Sequence, residues 1–223
     1  MCHRFTMLTH DEVDDVVRAL SCGVHLGWKS DWPATAPRCD AFPGTAVRII
    51  AQDNAGVLAP VDAVWGFSAS WSKRPVFNTR IETALGPGES MWSVAIERGR
   101  CIVAASRFFE TRDRTDGGLG DAVPTMPEQG RSLYSFGMSD AEPVLLAGVR
   151  QDGCFSVVTT KANESVGAIH DRMPLVLAWH EAWCWLGDGF ASLADRSRIS
   201  LDVHAENVSS SPPGVSAGQM RLF

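Results

Sequence analysis

Short apolar runs, each closed by turn residues, recur along most of this chain and narrow what it can fold into. They are Ala46–Ala51, Val61–Phe67, Cys101–Ala105, Leu133–Met138, Val144–Val149, Phe155–Thr160 and Met173–Leu177. Runs of five to seven residues suit strands better than helices, and a series of them with few helical stretches between predicts sheets joined by turns. Cys2–Met7 reads as one further short strand. Against this background one helix stands out. Thr9 lies three residues before Glu12, a capping-box pattern, and Val13, Val16, Val17 and Leu20 then recur at helical spacing. That predicts a helix from about Asp11 to Leu20, with shorter helical stretches near Glu82–Leu85, Trp92–Glu97 and His180–Trp185. The expected fold is α+β: a predominantly antiparallel, distorted barrel-like sheet system with a few short helices, in a single domain.

Composition closes off other classes. The 223 residues are 45% apolar and 21% charged, which excludes a chain disordered throughout. A membrane helix needs roughly 17–25 mostly apolar residues in a row, and stretches such as Val144–Val149 and Met173–Trp179 fall far short. The opening Met1–Phe5 lacks a signal-peptide pattern. These features predict a soluble, cytoplasmic protein with no membrane partner. The six cysteines are spaced too widely for a zinc knuckle or a redox pair, so they are expected to be free thiols, with Cys101, Cys154 and Cys184 buried. No metal or cofactor is called for. Ser21–Pro43 and the glycine- and proline-rich Thr111–Gly130 read as loops, and Ser209–Gly218 as a disordered end.

Four segments carry possible chemistry. Cys2 follows the initiator Met1, whose removal is favoured before a small residue. The freed Cys2 would carry an α-amine and a thiol on adjoining carbons. Such a 1,2-aminothiol condenses with an aldehyde to an imine, which the thiol closes to a stable thiazolidine. An α-amine with a pKa of about 7.7–8.0 is partly neutral and nucleophilic near pH 7. Without that release, Cys2 is simply a small apolar residue opening a strand.

The second segment, Trp71–Arg80, holds Lys73, Arg74 and Arg80 and no acid, in a chain of formal charge −6. Cations beside Trp65, Trp71 and Phe77 suit single-stranded nucleic acid, where phosphates take the cations and bases stack on rings. An extended Phe77–Glu82 would place Asn78, Arg80 and Glu82 on one face. A basic loop over a buried tryptophan fits the same residues. In the third, Glu110 follows Phe108 and Phe109 after the Cys101–Ala105 strand, where partial desolvation would raise its pKa toward a useful acid or base. In the fourth, Ile169–Pro174, an extended backbone points His170 and Arg172 the same way and Asp171 the other. A turn glutamate and a structural histidine are the plain alternatives.

In order and spacing these segments resemble the SOS-response-associated peptidase (SRAP) family of abasic-site-processing proteins. The residues that carry the likeness are Cys2 with Arg4-Phe5, Trp65-Gly66-Phe67 with Trp71, Phe77–Thr83, Phe108-Phe109-Glu110 and Ile169–Pro174. The resemblance implies a covalent thiazolidine between Cys2 and the ring-opened sugar aldehyde of an abasic site in single-stranded DNA, after self-catalysed loss of Met1. It implies Cys2 as nucleophile, Asn78 positioning the sugar, and Glu110 and His170 moving protons. Arg4, Arg80 and Arg172 would hold phosphates, and Trp71, Lys73 and Arg74 would extend the DNA surface. The catalytic domain would span 1–204 and a flexible tail 205–223, in a monomer. Four departures stand out: His3 for glycine, a loose match at Arg38–Pro43, Arg107 for a small residue, and Thr111 for tryptophan. A cysteine peptidase using Cys2 with His170, and a non-catalytic single-stranded DNA-binding module, are the competing functions.

Overall fold

The capping box expected at Thr9 closes as the sequence predicts. The Thr9 hydroxyl accepts the Glu12 amide at 3.3 Å, and the Glu12 carboxylate accepts the Thr9 amide at 2.6 Å. The helix it starts, α1, runs His10–Cys22 and ends at Gly23, whose left-handed φ of 62° stops it. In the computed structural model, which describes residues 2–23, 38–112, 132–139 and 142–206, α1 follows strand β1 (Arg4–Met7). Most of the Ser21–Pro43 and Thr111–Gly130 segments, and the Ser209–Gly218 end, lie outside the described residues.

After β2 (Asp40–Ala41), the hairpin β3 (Ala46–Gln52) and β4 (Leu58–Trp65) matches the first two predicted strands, with β4 beginning three residues early. The basic segment forms its own two-stranded ribbon, β5 (Phe67–Ala69) and β6 (Ser72–Val76), instead of a loop. Gly66, at φ 118°, permits the sharp entry: a Cβ there would lie 2.7 Å from Pro75 Cβ. β7 (Asn78–Arg80) then runs directly into the one-turn helix α2 (Ile81–Ala84). The extended face predicted for Asn78, Arg80 and Glu82 therefore breaks at Ile81, and Glu82 is helical. Helix α3 (Ser93–Arg98) precedes the 13-residue strand β8 (Arg100–Arg112). Next come β9 (Ser132–Gly137), β10 (Val144–Gln151), β11 (Cys154–Lys161), the short helix α4 (Glu164–Gly167), β12 (Arg172–Pro174) and β13 (Val176–Leu177). Helix α5 (Ala182–Leu186) and β14 (Asp202–Glu206) complete the described chain. β14 pairs with β9 and reaches past residue 204, the predicted domain boundary.

β8 is the spine. Its first half pairs with β10 and β3, and its second half with β1 and β9, all antiparallel. β11 joins β10 antiparallel but meets β4 and β7 in parallel. The pairings curl the sheet into a barrel-like form whose seam between β4 and β11 is only two residue pairs wide, so it is not a regular closed barrel. Alternation along β8 sorts the core into two faces. Cys101, Val103 and Ala105 join Phe5, Trp65 and Phe155 inside; Ile102 and Ala104 join Val13, Val16 and Trp185 under α1 and α5 outside. Each such fully buried large side chain contributes about 1.5–3 kcal/mol.

Trp65 is fully buried, donates its indole N–H to the Phe77 carbonyl at 2.8 Å, and packs on Phe5 at 4.7 Å. It is a core residue and offers no ring to a base, which overturns the stacking role read for it and agrees with the alternative of a buried tryptophan under the basic segment. Of the cysteines expected to be buried, Cys101 is, while Cys154 and Cys184 are half-buried, and all six are free thiols. Among the described residues no helix is long and apolar enough to cross a membrane.

Candidate active site

Glu110 reaches the interior because β8 is bulged. Thr6 pairs with Arg107 and Met7 with Ala105, leaving Ser106 as an extra residue. Before the bulge the odd-numbered residues face the inner core; after it Phe108 does, and Glu110, two residues on, shares that face. An unbroken alternation would have turned Glu110 outward. The sequence placed Glu110 just past a strand end, but it lies within β8, paired with Tyr134 of β9, and is 1% exposed. Burial pushes its carboxyl up from 4.5 to about 7, so acid and carboxylate coexist near neutrality.

Cys2 immediately precedes β1 and is fully buried in the inner core beside Phe5. Its Sγ contacts the Arg4 carbonyl at 3.6 Å. Burial pushes the thiol pKa far up, and the negative charge of Glu110 adds to that shift, so sulfur and carboxylate are electrostatic neighbours. Asn78 closes the group from β7. Its Nδ2 donates to the Cys2 carbonyl at 2.8 Å, across 76 positions of sequence. Its buried Oδ1 has no hydrogen-bond partner among the described residues. A buried amide oxygen left this way is costly unless something else supplies a donor.

His170 stands before β12. Its Nδ1 accepts the Arg172 amide at 2.9 Å and lies 2.9 Å from an Asp171 carboxylate oxygen. The first contact suits a ring with Nδ1 unprotonated and the second a ring that carries a proton on Nδ1, so each form has a partner at the same nitrogen. The Asp171 charge also raises the Glu110 carboxyl, which ties this segment to the Cys2 neighbourhood. His170 and Arg172 are half-buried and Asp171 is exposed, but the chain bends at Asp171 and its carboxylate meets the His170 ring, so the opposite-facing arrangement predicted for that pair does not form.

The six predicted DNA-binding residues divide by what already holds them. Trp71, 71% exposed at the ribbon tip, and Lys73, Arg74 and Arg80 all face solvent. Arg4 is engaged: its Nε donates to Asp40 at 2.7 Å, and its guanidinium lies 4.2 Å from the Phe109 ring centre and 5.9 Å from that of Phe42. Arg172 is engaged more fully. It makes a two-pronged pair with Glu82, both contacts at 2.9 Å, and Nη2 also donates to the Thr159 carbonyl at 2.8 Å. Sequence reasoning assigned no role to Asp40, Phe42 or Glu82. The position of Glu82 within the Phe77–Thr83 block was the available signal for the last; Asp40 and Phe42 sit in the loosely matching Arg38–Pro43 stretch.

Arg107, one of the departures noted from the sequence, braces strands. Its Nε donates to the Ser135 hydroxyl at 2.9 Å and its Nη2 to the Asp202 carbonyl at 3.3 Å, linking β8, β9 and β14.

The same fold occurs in solved structures. A phage-related protein from Bordetella bronchiseptica superposes with a TM-score of 0.64 at 21% identity, covering 92% of this chain and 94% of that one. A protein from Bacteroides thetaiotaomicron gives 0.61 at 19% identity, covering 92% and 91%. The model of the SOS response associated peptidase (SRAP) family matches residues 1–212, and the chain belongs to that family. It is 29% identical over 196 residues to the abasic site processing protein YedK of Escherichia coli K12, covering 83% of this chain and 79% of that protein.

Proposed function

We propose that this protein processes abasic sites in single-stranded DNA, by joining a freed Cys2 to the ring-opened sugar aldehyde as a thiazolidine. Family membership and the likeness to YedK support the abasic-site reading. The observation that carries the chemistry is the convergence of Cys2, Asn78 and Glu110, with Asn78 holding the Cys2 carbonyl at 2.8 Å and Glu110 poised near pH 7.

Hydrolysis of the Met1–Cys2 peptide bond comes first and liberates the α-amine. That amine adds to the aldehyde carbon, and the carbinolamine loses water to give an imine. The thiol then adds to the imine carbon and its proton passes to nitrogen, so aldehyde and aminothiol yield thiazolidine and one water. A buried thiol is poorly ionised, so sulfur attack needs a base at hand, while water loss needs an acid. Glu110 near pH 7 serves both, first as the acid that protonates the departing hydroxyl and then, as the carboxylate so formed, as the base that takes the thiol proton. The Asn78 amide oxygen accepts from the released amine or from a sugar hydroxyl, which satisfies that buried acceptor. His170 supports the same transfers by exchanging its Arg172 and Asp171 partners. Trp71, Lys73, Arg74 and Arg80 take the flanking bases and phosphates.

The test mixes Met1-processed protein with a single strand bearing one abasic site, followed by heating in denaturant and electrophoresis. A slower band is expected that an undamaged strand does not give and Cys2→Ala abolishes. Failure of the processed wild type to shift the damaged strand would overturn the proposal.

A further inference from the structure

We propose that Glu82 is a positioning residue for this reaction, setting the His170 ring through Arg172. The inference rests on the crosslinking reading above. Three contacts form the path. Both Glu82 oxygens accept from the two terminal nitrogens of Arg172 at 2.9 Å. The same guanidinium donates to the Thr159 carbonyl at 2.8 Å and reaches the Thr159 hydroxyl at 3.3 Å, on β11. At its other end, the backbone amide of Arg172 donates to His170 Nδ1 at 2.9 Å. Fixing the side chain of Arg172 at α2 and β11 therefore fixes the backbone amide that reads the His170 ring. With the Arg172 amide at Nδ1 the neutral ring carries its proton on Nε2, and the path holds that tautomer against the Asp171 carboxylate, which lies 2.9 Å from the same nitrogen and favours a proton there.

The path reaches Asn78 as well. Thr159 donates its hydroxyl to the Thr79 carbonyl at 3.4 Å, and Thr79 donates to Ser156 at 2.9 Å, both within the buried parallel seam of β7 and β11. Asn78, next to Thr79, holds the Cys2 carbonyl. One guanidinium thus joins the elements that carry two of the proposed reacting groups. The accessibility of Arg172 fits this part: its side chain is 12% exposed, and its Nε is buried with no hydrogen-bond partner among the described residues. A phosphate could enter the fork only by displacing Glu82. Bidentate pairing of a guanidinium with a carboxylate is geometrically specific, which suits a brace.

The experiment compares wild type, Glu82→Gln and Glu82→Ala, each confirmed folded by thermal melting. It measures crosslinking rate across strand concentration, noncovalent binding to an undamaged strand at several salt concentrations, and the ¹⁵N resonances of His170. The expected result is a saturating rate about 10-fold lower for Glu82→Ala and a smaller loss for Glu82→Gln, which keeps one acceptor oxygen. Half-saturating concentration and salt dependence stay unchanged, and the His170 ring loses its single tautomer in Glu82→Ala. Tighter, more salt-dependent binding in Glu82→Ala with the rate intact overturns the proposal, because Arg172 would then be a phosphate ligand that Glu82 merely masks. Wild-type rate with an unaltered ring overturns it too. If wild type itself fails to crosslink, the crosslinking reading falls, and the tautomer measurement still decides whether Glu82 sets the ring.

Discussion

Two carboxylates are buried to nearly the same degree, Glu12 at the start of α1 and Glu110 in the middle of β8, yet the structure treats them in opposite ways. Glu12 accepts from the Thr9 amide at 2.6 Å and from Arg38 at 2.6 Å, so its charge is matched and its geometry is fixed. Glu110 faces the inner core beside Cys2, where burial holds the carboxyl near pH 7. A buried acid given a cation and an amide builds a helix start. A buried acid kept between its two protonation states is equipped to move protons.

The strongest way to break the contrast is Glu110→Gln. It removes the titrating group while keeping shape, so crosslinking should slow by about 100-fold or more, with strand binding little changed. The same variant sharpens the contrast through stability. Glu110 ionises near 4.5 in the unfolded chain and near 7 in the folded one. Below pH 4.5 both states hold the proton and the residue is neutral in its effect. As pH rises toward 7 the unfolded chain releases its proton first, so the fold loses stability, by about 3 kcal/mol above pH 7. Glu110→Gln should therefore melt higher than wild type at pH 8 and alongside it at pH 4. Equal melting at both would show that burial does not hold the proton.

Glu12 should behave the other way round. Glu12→Ala removes the cap partner of Thr9 and the ion-pair partner of Arg38, which keeps its 3.1 Å hydrogen bond to the Ser106 hydroxyl and, at 28% exposure, is partly rehydrated by water. The expected loss is about 1–3 kcal/mol, read as a drop in melting temperature of several degrees. Crosslinking per folded molecule should stay at the wild-type level. A rate defect at full folding would mean that α1 belongs to the active site after all.

The two acids also show what a sequence reveals of such a molecule. Glu12 was readable because its partner is local: Thr9 lies three residues away and the apolar spacing that follows is helical. The strand runs were readable for the same reason, since alternation is a short-range signal. Glu110 was half readable. Its aromatic neighbours announced desolvation, but the strand was expected to end before it. Its inward orientation depends on the bulge at Ser106, which is set by pairing between β1 and β8 across about 100 residues. The β5–β6 ribbon escaped notice for another reason: it is a local hairpin, Phe67 pairing with Val76 and Ala69 with Ser72, in a polar segment without the apolar run that marks the other strands. Long-range pairing did hide β14, which is a strand because β9 offers it an edge and Arg107 fastens it there. Cys2, Asn78, Glu110 and His170 could be named from the resemblance. That Arg172 is held by Glu82 required the fold, because its partner lies 90 positions away.

The smallest effect is expected from the ribbon, and it separates holding a strand from reacting with it. Trp71, Lys73 and Arg74 are exposed and lie outside the buried group around Glu110. Replacing all three with alanine removes two cations and one stacking ring. Each lost phosphate contact should flatten the dependence of log binding constant on log salt by about 0.7 for single strands, so by about 1.4 for two. The lost ring should weaken binding by about 1–3 kcal/mol where a base stacks on it. A thiazolidine crosslink of the kind proposed would not dissociate on the time scale of binding, so the final yield at saturating strand should match wild type although it is reached at higher concentration. Titrations at two salt concentrations with a saturating end point distinguish these effects. A triple variant with unchanged salt dependence would remove the ribbon from the binding surface and leave Arg80 to take the backbone. A lower plateau at saturation would instead place the ribbon in the chemistry and dissolve the division between the exposed cations and the buried acid.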